Sequence, residues 1–339
     1  MAENKVTSLD VARLAGVSQS AVSRVFSGAS ASAATISKVR AAADHLGYRP
    51  NAMARAMKSG KSRIIGLLVA YLENQFYPVA LERLSRALQA RGYHILVFMV
   101  SNANDQIEST VQELLDYQVD GIVTASVSMS FGLTERCASS GIPVVMFNRG
   151  QDGSGLSTVT SDNLAGGAKV AEFLLAAGHR RIAHIMGWQG SSTGRDRALG
   201  FRRGMALAGV EPLEEIDGMY TREAAADAAR KLMARPDPPD AIFVGNDHMA
   251  FAVMDVLRSE LGLRVAQDVS VVGYDDVPLA GWPSYDLTTL RQPVNRMVEA
   301  TVDTLLGQIE DPARPTQKIE IAGPLILRSS ARIPQGWTS

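Results

Sequence analysis

The second of two short helices predicted near the N-terminus carries an outer face of small hydrogen-bonding side chains and one cation. The members of that face are Gln19, Ser20, Ser23 and Arg24. Apolar residues fall on the opposite side of the same helix. A helix that enters the DNA major groove needs such polar groups to contact base edges and phosphates. The pattern therefore predicts DNA recognition, and the alternative is a small helical bundle with a solvated face.

The residues around this helix predict a helix-turn-helix unit. Thr7 can cap a first helix, with Asp10 placed near its positive end. Gly16 supplies the turn, and Ser18 caps the second helix. A third helix with a buried apolar stripe is predicted over Ala33–Leu46.

The segment after the third helix is a candidate folding switch. Residues 51–58 contain good helix formers, and Pro50 suits a first helical position. They are fewer than the roughly 12–15 residues that an isolated helix needs. We expect this segment to become helical only when a partner holds it.

The composition separates a basic head from an acidic body. Residues 1–62 hold nine Lys/Arg and three Asp/Glu, a net charge of +6, while the remainder holds 25 against 32, a net charge of −7. A basic end favours nucleic-acid binding, although a solvated basic face would give the same count. Cys137 is the only cysteine, which excludes an internal disulfide, and we expect no cofactor or metal. With no apolar leader or run of about 18 apolar residues, the sequence predicts a cytoplasmic protein without membrane association.

Alternating apolar strands and amphipathic helices beyond residue 62 predict an α/β body with parallel sheets. Strands are predicted at 64–70, 94–100, 121–124, 143–147, 182–186, 241–244 and 270–273. Helices are predicted at 79–91, 105–117, 163–177, 196–208, 221–234, 248–261 and 294–309. These strands are too many for one compact sheet, so we expect two lobes with crossings near 162–163 and 288–291. A ligand would lie between the lobes, at the carboxyl ends of the strands.

Two other function classes fit parts of the sequence. Residues 190–194 match the Gly-x-Ser-x-Gly nucleophile pattern of hydrolases around Ser192. The only later histidine is His248, and the glycine-rich oxyanion motif is missing, so we expect a small-residue loop and no enzyme. A sugar receptor for a transporter would share the two-lobed body, but it would need an export signal and would leave the basic head without a purpose.

The motifs, taken in order, resemble the lactose- and purine-repressor (LacI/GalR-type) family of bacterial transcription regulators, over the whole chain. The signatures lie at residues 10–12, 15–18, 22–25, 178–179, 197–201, 245–247, 270–276 and 288–293. The resemblance implies a small all-α helix-turn-helix head plus an α/β two-lobed periplasmic-binding-protein-like body with parallel sheets. The implied boundaries are 1–49 for the head, 50–61 for the hinge helix and linker, and 62–339 for the body. Lobe 1 would span about 62–161 and 292–321, and lobe 2 about 162–291 and 322–339.

The resemblance further implies a sequence-specific repressor whose operator affinity is controlled by a small molecule, a sugar or sugar derivative, bound between the lobes. Gln19 and Ser20 would read bases, Arg24 would contact a base or a nearby phosphate, and Met57 stands where family members wedge a leucine into the minor groove. The implied DNA-contacting positions are Thr7, Ser18, Gln19, Ser20, Ser23, Arg24, Asn51, Ala54, Arg55, Met57 and Lys58.

The same resemblance assigns the effector site. Its positions are Phe76, Tyr77, Asn148, Arg149, Arg197, Asn246, Asp275 and Gln292. Carboxylate, amide and guanidinium groups suit sugar hydroxyls, and an aromatic ring can stack on the sugar. Other roles stay open: Asn246 or Asp247 could cap the next helix, Phe76 could belong to the core, and Trp188 or Trp282 could line the pocket.

Two heads on a homodimer would read two half-sites, so the resemblance implies an inverted-repeat operator. The interface is expected along lobe 1. Residues 332–339 form no leucine-heptad tail, so we expect a dimer and not a tetramer. Whether the effector releases or recruits DNA binding stays open at this point.

Overall fold

The computed structural model describes residues 6–27, 30–49, 61–100, 104–127 and 131–337. The chain divides into two compact units, Met1–Arg63 and Ile64–Ser339. The described part of the first unit contains helices α1 (Ser8–Ala15), α2 (Gln19–Ser27) and α3 (Ala33–Leu46). The segment 51–58, for which a coupled folding step is predicted, lies outside the described residues.

The helices of the head begin and end at the residues predicted from the sequence. The Thr7 hydroxyl accepts a hydrogen bond from the Asp10 N–H at 3.4 Å, and the Asp10 carboxylate accepts one from the Thr7 N–H at 3.0 Å. Gly16 ends α1 at φ +65°, and the Ser18 hydroxyl accepts a hydrogen bond from the Ala21 N–H at 3.2 Å. These contacts satisfy N–H groups that a helix start leaves free. The three helices enclose a small core of Val11, Ala12, Val22, Val39, Ala42 and Ala43.

The second unit alternates strands and helices. Its strands are β1 (Ile64–Val69), β2 (His94–Met99), β3 (Gly121–Ala125), β4 (Val144–Phe147), β5 (Ser157–Ser161), β6 (Ile182–Met186), β7 (Glu215–Asp217), β8 (Ala241–Val244), β9 (Ser270–Asp275), β10 (Thr288–Arg291), β11 (Lys318–Ile321) and β12 (Leu325–Ile326). Its helices are α4 (Phe76–Ala90), α5 (Asn104–Asp116), α6 (Phe131–Ser139), α7 (Asn163–Ala176), α8 (Ser192–Leu207), α9 (Arg222–Met233), α10 (Asp247–Asp255) and α11 (Val294–Glu310).

The strands form two six-stranded sheets. The order in the first sheet, which we call lobe 1 with its helices, is β11-β5-β4-β3-β1-β2. The order in the second, lobe 2, is β12-β10-β9-β8-β6-β7, and only the β10–β12 pair is antiparallel among the described pairings. The chain passes between the sheets after β5, after β10 and after β11. Parallel strands place their carboxyl ends at one edge, so each lobe offers one edge of loops to a ligand.

Several elements differ from the sequence-based prediction. The strands β5, β7, β11 and β12 and the helix α6 were not predicted, and 288–291 forms a strand before the crossing. In β5 the polar residues Ser157, Thr158 and Ser161 are buried. The Ser157 hydroxyl accepts hydrogen bonds from the Gln308 side-chain amide and from the Gln317 N–H. A polar side chain of this strand is therefore hydrogen-bonded inside the lobe. Periodicity of apolar residues cannot detect such a strand.

The helices α7 and α8 of lobe 2 lie with their backbones in close contact. A Cβ atom on Gly167 would lie 2.2 Å from the Arg197 carbonyl oxygen, and one on Gly200 would lie 2.1 Å from the Leu164 carbonyl oxygen. Only glycine fits at these two positions, and this approach fixes where Arg197 leaves α8. Across the described helices of the chain, none combines the length and the apolar character that crossing a bilayer requires.

Candidate functional site

Most of the residues predicted for the effector site are buried where the loop edges of the two lobes meet. Asn148 and Arg149 follow β4 in lobe 1, and Asp275 ends β9 in lobe 2. Gln292 lies at the crossing after β10, and each of these four side chains is at most 4% exposed. The structure therefore brings together residues that are far apart in sequence.

Asp275 joins the two lobes through hydrogen bonds to its carboxylate. The Asn74 amide, which follows β1 in lobe 1, donates to Oδ2 at 3.0 Å, and the Gln292 amide donates to Oδ1 at 2.7 Å. The Arg197 guanidinium lies 3.6 Å from Oδ1. Burial raises the pKa of Asp275, while Arg197 and the two amides oppose that shift. Asn74 was not predicted, although its place after a strand of lobe 1 is the signal that could have found it.

Arg197 is held in a single orientation by its neighbours in lobe 2. Its Nε donates to Asn163 Oδ1 at 2.9 Å, and its Nη1 donates to the Gly245 carbonyl at 2.6 Å. The guanidinium carbon also lies 3.7 Å from the centre of the Tyr274 ring. An arginine fixed this way presents its remaining donors in a defined direction.

Tyr77 organises the wall of the site in lobe 1. Its hydroxyl accepts a hydrogen bond from the Asn148 amide at 3.0 Å and another from the Ser126 hydroxyl. The Tyr71 ring meets the Tyr77 ring edge-on at 5.2 Å. Burial raises the pKa of Tyr71 well above its ordinary value, so this phenol keeps its proton. Tyr77 thus lies in the predicted aromatic wall, and Tyr71 extends it.

Phe76 has a different role from Tyr77. Its ring stacks on Phe147 at 6.1 Å within the core of lobe 1. It also lines a cavity of about 480 Å³ that Asp275 and Gln292 share. Phe76 therefore belongs to the core of lobe 1 and also lines this cavity.

Three cleft residues have backbone conformations that side chains rarely adopt. The φ angles are +64° at Ser126, +67° at Asn148 and +126° at Asp275. Such conformations cost on the order of 1–3 kcal/mol each and persist where the surroundings fix them, often at binding sites. In each case the turn directs a polar side chain or carbonyl from a strand end into the site.

Three buried polar atoms of the site have no hydrogen-bond partner among the residues that the structure describes. They are Asn148 Oδ1, Arg149 Nε and Gln292 Oε1. Buried polar groups are nearly always paired, and although unpaired atoms such as Arg235 Nε occur elsewhere, these three belong to residues at strand ends of the cleft and are available to a ligand. Two of them are acceptors and one is a donor.

Asn246 and Asp247 form hydrogen bonds to backbone and side-chain groups of lobe 2 next to the site. Asn246 caps α10 by accepting a hydrogen bond from the Met249 N–H at 2.9 Å. Asp247 does not cap: it accepts from the Thr289 hydroxyl at 2.6 Å and from the Val277 N–H at 2.9 Å, so the capping alternative is wrong for this residue. Burial raises the pKa of Asp247 well above its ordinary value.

The hydrolase pattern around Ser192 has no catalytic geometry. Ser191 caps α8, and the Ser192 hydroxyl accepts a hydrogen bond from the Gly150 N–H at 3.0 Å. Within the described ranges, no histidine is hydrogen-bonded to Ser192. The hydrogen bond between Gly150 and Ser192 joins lobe 1 to lobe 2 beside Arg149. Trp282, the other candidate for the pocket wall, is 55% exposed and is not a buried lining residue.

The predicted DNA-contact face of the head is exposed. The exposed members are Thr7, Ser18, Gln19, Ser20, Ser23 and Arg24. Gln19 Nε2 donates to the Ser8 hydroxyl at 2.9 Å, and the Ser18 and Ser20 hydroxyls lie 2.9 Å apart. The other predicted contacts, at Asn51, Ala54, Arg55, Met57 and Lys58, lie outside the described residues.

A helix-turn-helix head in the same chain as a two-lobed body with a polar cleft defines a class of ligand-responsive regulators. Comparison with known proteins gives the family. Residues 7–51 match the model of bacterial regulatory proteins of the lacI family, and residues 171–331 match a periplasmic binding protein-like domain. The chain belongs to the lacI family of bacterial regulators, and its relatives are transcriptional repressors and not enzymes.

Relatives and solved structures match nearly the whole chain. The ribose operon repressor of Escherichia coli is 33% identical over 96% of this chain and 99% of its own length. The transcriptional repressor PurR of Photobacterium profundum is also 33% identical, over 95% of this chain and 98% of its own length. The lac repressor dimer bound to operator and the anti-inducer ONPF matches with a TM-score of 0.86 at 27% identity, covering 96% and 99%. The structure of the transcriptional regulator CelR in complex with cellobiose matches with a TM-score of 0.72 at 31% sequence identity. The match covers 96% of this chain and 99% of CelR.

Proposed function

We propose that the chain is a repressor that binds an inverted-repeat operator and whose operator affinity is set by a sugar or sugar derivative bound between the lobes. The observation that carries this proposal is the group of unpaired buried atoms at the meeting edges of the lobes. Relatives whose names specify a ribose operon, and a solved complex with cellobiose, support a sugar.

The domain boundaries follow from the same proposal. Residues 1–49 form the DNA-binding head, 50–61 form the hinge helix and linker, and 62–339 form the effector-binding body. The hinge segment would fold on operator DNA, with Met57 as the minor-groove wedge. A protein that binds operator DNA acts beside the chromosome, so we place it in the cytoplasm.

The proposal includes a homodimer. The solved lac repressor structure that matches this chain is a dimer on its operator. The edge strand β2 leaves Val97 at 42% and Met99 at 53% exposure, and alternation places both on one face of the sheet. Exposed large apolar residues on one face suit contact with a second copy.

The proposal is tested by selecting bound sequences from a pool of randomised DNA with the full-length chain. We expect an inverted repeat, because two identical heads related by a two-fold axis read two identical half-sites. A panel of sugars and purines is then screened by thermal shift, since a ligand that binds the folded state raises its apparent stability. If the DNA recovered from the selection shows no enriched sequence, the assignment of the head as a sequence-specific DNA-binding domain is wrong.

A further inference from the structure

Lobe 1 contains a second cavity, at the opposite edge of its sheet from the cleft. The cavity has a volume of about 240 Å³ and is lined by residues at the starts of β4, β5 and β11. These strands are parallel, so their starts share one edge of the sheet and their carboxyl ends share the other. The effector site lies at the carboxyl ends, and the second cavity is therefore separate from it.

Most of the wall of the second cavity is apolar. Ile142, Val144 and Leu156 line it, together with Cys137, which is 1% exposed. Burial raises the pKa of the Cys137 thiol to about 11, so the thiol keeps its proton at neutral pH. Among the described residues that line the cavity, Arg314 alone carries a charge, and its side chain is exposed. The interior therefore suits an uncharged molecule.

One buried polar atom of this wall has no hydrogen-bond partner among the described residues. Gln308, in the last turn of α11, lines the cavity and is 8% exposed. Its Nε2 donates to the Ser157 hydroxyl at 3.0 Å, whereas its Oε1 is buried and unpaired. Buried carbonyl oxygens are nearly always paired, and the cavity provides the space for a partner. Gln308 thus offers an acceptor to a molecule in the second cavity.

The size of the cavity and its few polar groups limit what can occupy it. An ordered buried water makes roughly two to four hydrogen bonds, whereas Gln308 Oε1 is the single unpaired buried side-chain atom of the described lining. An apolar cavity of about 150 Å³ binds benzene, so one of about 240 Å³ has room for a ring with small substituents. The wall therefore favours a compact apolar molecule over a water molecule or a sugar with many hydroxyls.

A hydroxyl group matches Gln308 better than other hydrogen-bond donors do. It donates to Oε1 without bringing a charge into the apolar wall. An ammonium donor would bring such a charge, and no carboxylate belongs to the described lining. A hydroxyl also accepts hydrogen bonds, so it pairs with the Gln308 amide whichever end of that amide faces the cavity.

The elements around the second cavity are those that carry the chain to and from lobe 2. The chain crosses between the sheets after β5, after β11 and before α11. Leu156 precedes β5, Thr316 precedes β11, and Gln308 lies near the end of α11. A molecule in this cavity would touch each of these three elements at the end remote from its crossing.

We propose that the second cavity is a ligand site for a neutral molecule of about the size of phenol that is apolar apart from one hydroxyl. The hydroxyl binds the Gln308 amide, and the hydrocarbon part packs against Ile142, Val144 and Leu156. The inference goes beyond the proposed function, because the place and the ligand both differ from those of the sugar site.

The first test measures the binding of 4-fluorophenol to the full-length chain by fluorine NMR, with 4-fluorotoluene as the matched probe that lacks a hydroxyl. Both should bind the wild type with a dissociation constant of about 1 mM or below. Gln308→Met removes the acceptor and keeps a side chain of similar length. It should weaken 4-fluorophenol at least about fivefold and leave 4-fluorotoluene within about twofold, because only the phenol loses a hydrogen bond.

Each probe is compared between two proteins, so the difference in hydration between the probes cancels. Gln112→Met, at an exposed position of α5, is the matched control and should change the affinity for neither probe. Equal weakening of both probes by Gln308→Met would overturn the assignment of the hydroxyl to Gln308. No binding of either probe to the wild type at up to about 10 mM would overturn the site itself.

The second test locates the bound probe with Ala138→Phe. Ala138 lines the cavity from an exposed position of α6, so this variant keeps the proposal testable if Gln308→Met does not fold. The phenylalanine ring should fill the cavity and abolish the binding of both probes, whereas Ala138→Ser should bind them as the wild type does. Unchanged binding to Ala138→Phe would place the probes elsewhere and overturn the proposal.

Failure of this inference is distinguishable from failure of the proposed function. None of the described residues assigned to the effector site lines the second cavity. Ala138→Phe should therefore bind the sugar that gives the largest thermal shift, and the selected operator, as the wild type does. Sugar and operator binding without any binding of 4-fluorophenol would leave the proposed function standing and show this inference to be wrong.

Discussion

Asp275 is a residue of lobe 2 whose buried carboxylate makes polar contacts to both lobes. Its carboxylate accepts from Asn74 of lobe 1 and from Gln292 at a crossing, and it lies near Arg197 of lobe 2. A ligand that replaces or extends these hydrogen bonds changes the contact between lobes.

We therefore expect Asp275→Ala to remove the response to ligand. Truncating one partner of a buried charged hydrogen bond costs about 2–5 kcal/mol of binding free energy. Operator binding without ligand should stay near that of the wild type, because the base-contacting residues belong to the head. Calorimetry with the best ligand of the panel measures the loss. The control is Asp227→Ala, whose side chain on α9 is 78% exposed, and an unchanged affinity in Asp275→Ala would remove this residue from the site.

In the head, Gln19 and Ser20 carry the prediction about base recognition. Both are exposed, and the bond from Gln19 Nε2 to the Ser8 hydroxyl leaves the second amide hydrogen and Oε1 of Gln19 available for a base. Exchanging the two residue types should change the preferred half-site and cost roughly 1–3 kcal/mol on the original operator. Weak, salt-dependent binding should remain, since phosphate contacts provide it. Selection from randomised DNA checks this, with Ser37→Ala on the exposed side of α3 as the control; an unaltered preference would assign base reading to another element.

At the scale of elements, the sequence predicts those features that depend on local physics. The predicted helix caps at Thr7 and Ser18 are confirmed, because a short side chain and the adjacent backbone N–H groups suffice to form them. The residues after β4 and β9 were placed correctly because parallel strands share a carboxyl edge. The polar strand β5 was missed because its residues pair with β4 and with the distant β11, and Ser157 accepts a hydrogen bond from Gln308, about 150 residues away. Arg197 and Gln292 were predicted in the same site as Asp275, whereas Asn74 was not, because its contact with Asp275 depends on how the two lobes meet.

The strand β6 contains a histidine that makes lobe 2 sensitive to acid. His184 is fully buried, lies 4.5 Å from the Phe243 ring and 4.9 Å from the Phe201 ring, and has Nδ1 3.4 Å from Glu215. Burial lowers the pKa of His184 more than Glu215 raises it. The unfolded chain, with an ordinary pKa of about 6.5, takes up a proton first as the pH falls.

The contribution of His184 to stability is thus present above about pH 6.5 and is lost as the pH falls toward the lower folded pKa. His184→Phe should flatten the dependence of the unfolding free energy on pH by up to about 1.4 kcal/mol per pH unit in that window. His179 and His248, whose pKa values burial also lowers, should supply the slope that remains. Urea unfolding between about pH 8 and about pH 5 measures the slope. Identical slopes in the two proteins would contradict this account of β6.

At the scale of the whole molecule, the exposed apolar face of β2 predicts how two copies associate. Met99→Asp should convert the dimer to a monomer, because a carboxylate cannot be buried without a partner. Operator affinity should fall roughly 100-fold, since the second head no longer binds as part of the same molecule. Sedimentation and operator titration measure the two effects. Leu207→Asp, on a side chain that is 91% exposed in lobe 2, should leave both unchanged; a dimeric Met99→Asp would place the interface elsewhere.

The central claim is that occupancy of the cleft controls the DNA affinity of the head. The most direct measurement is an anisotropy titration of the selected operator with the full-length chain at fixed salt. It is made with and without a saturating amount of the sugar that gives the largest thermal shift. Linkage requires that operator change the affinity for that sugar by the same factor. The account predicts a change of about tenfold or more in the wild type, consistent with a coupling of about 1–3 kcal/mol, and none in Asp275→Ala. Equal operator affinities for the empty and the saturated wild-type protein would contradict it.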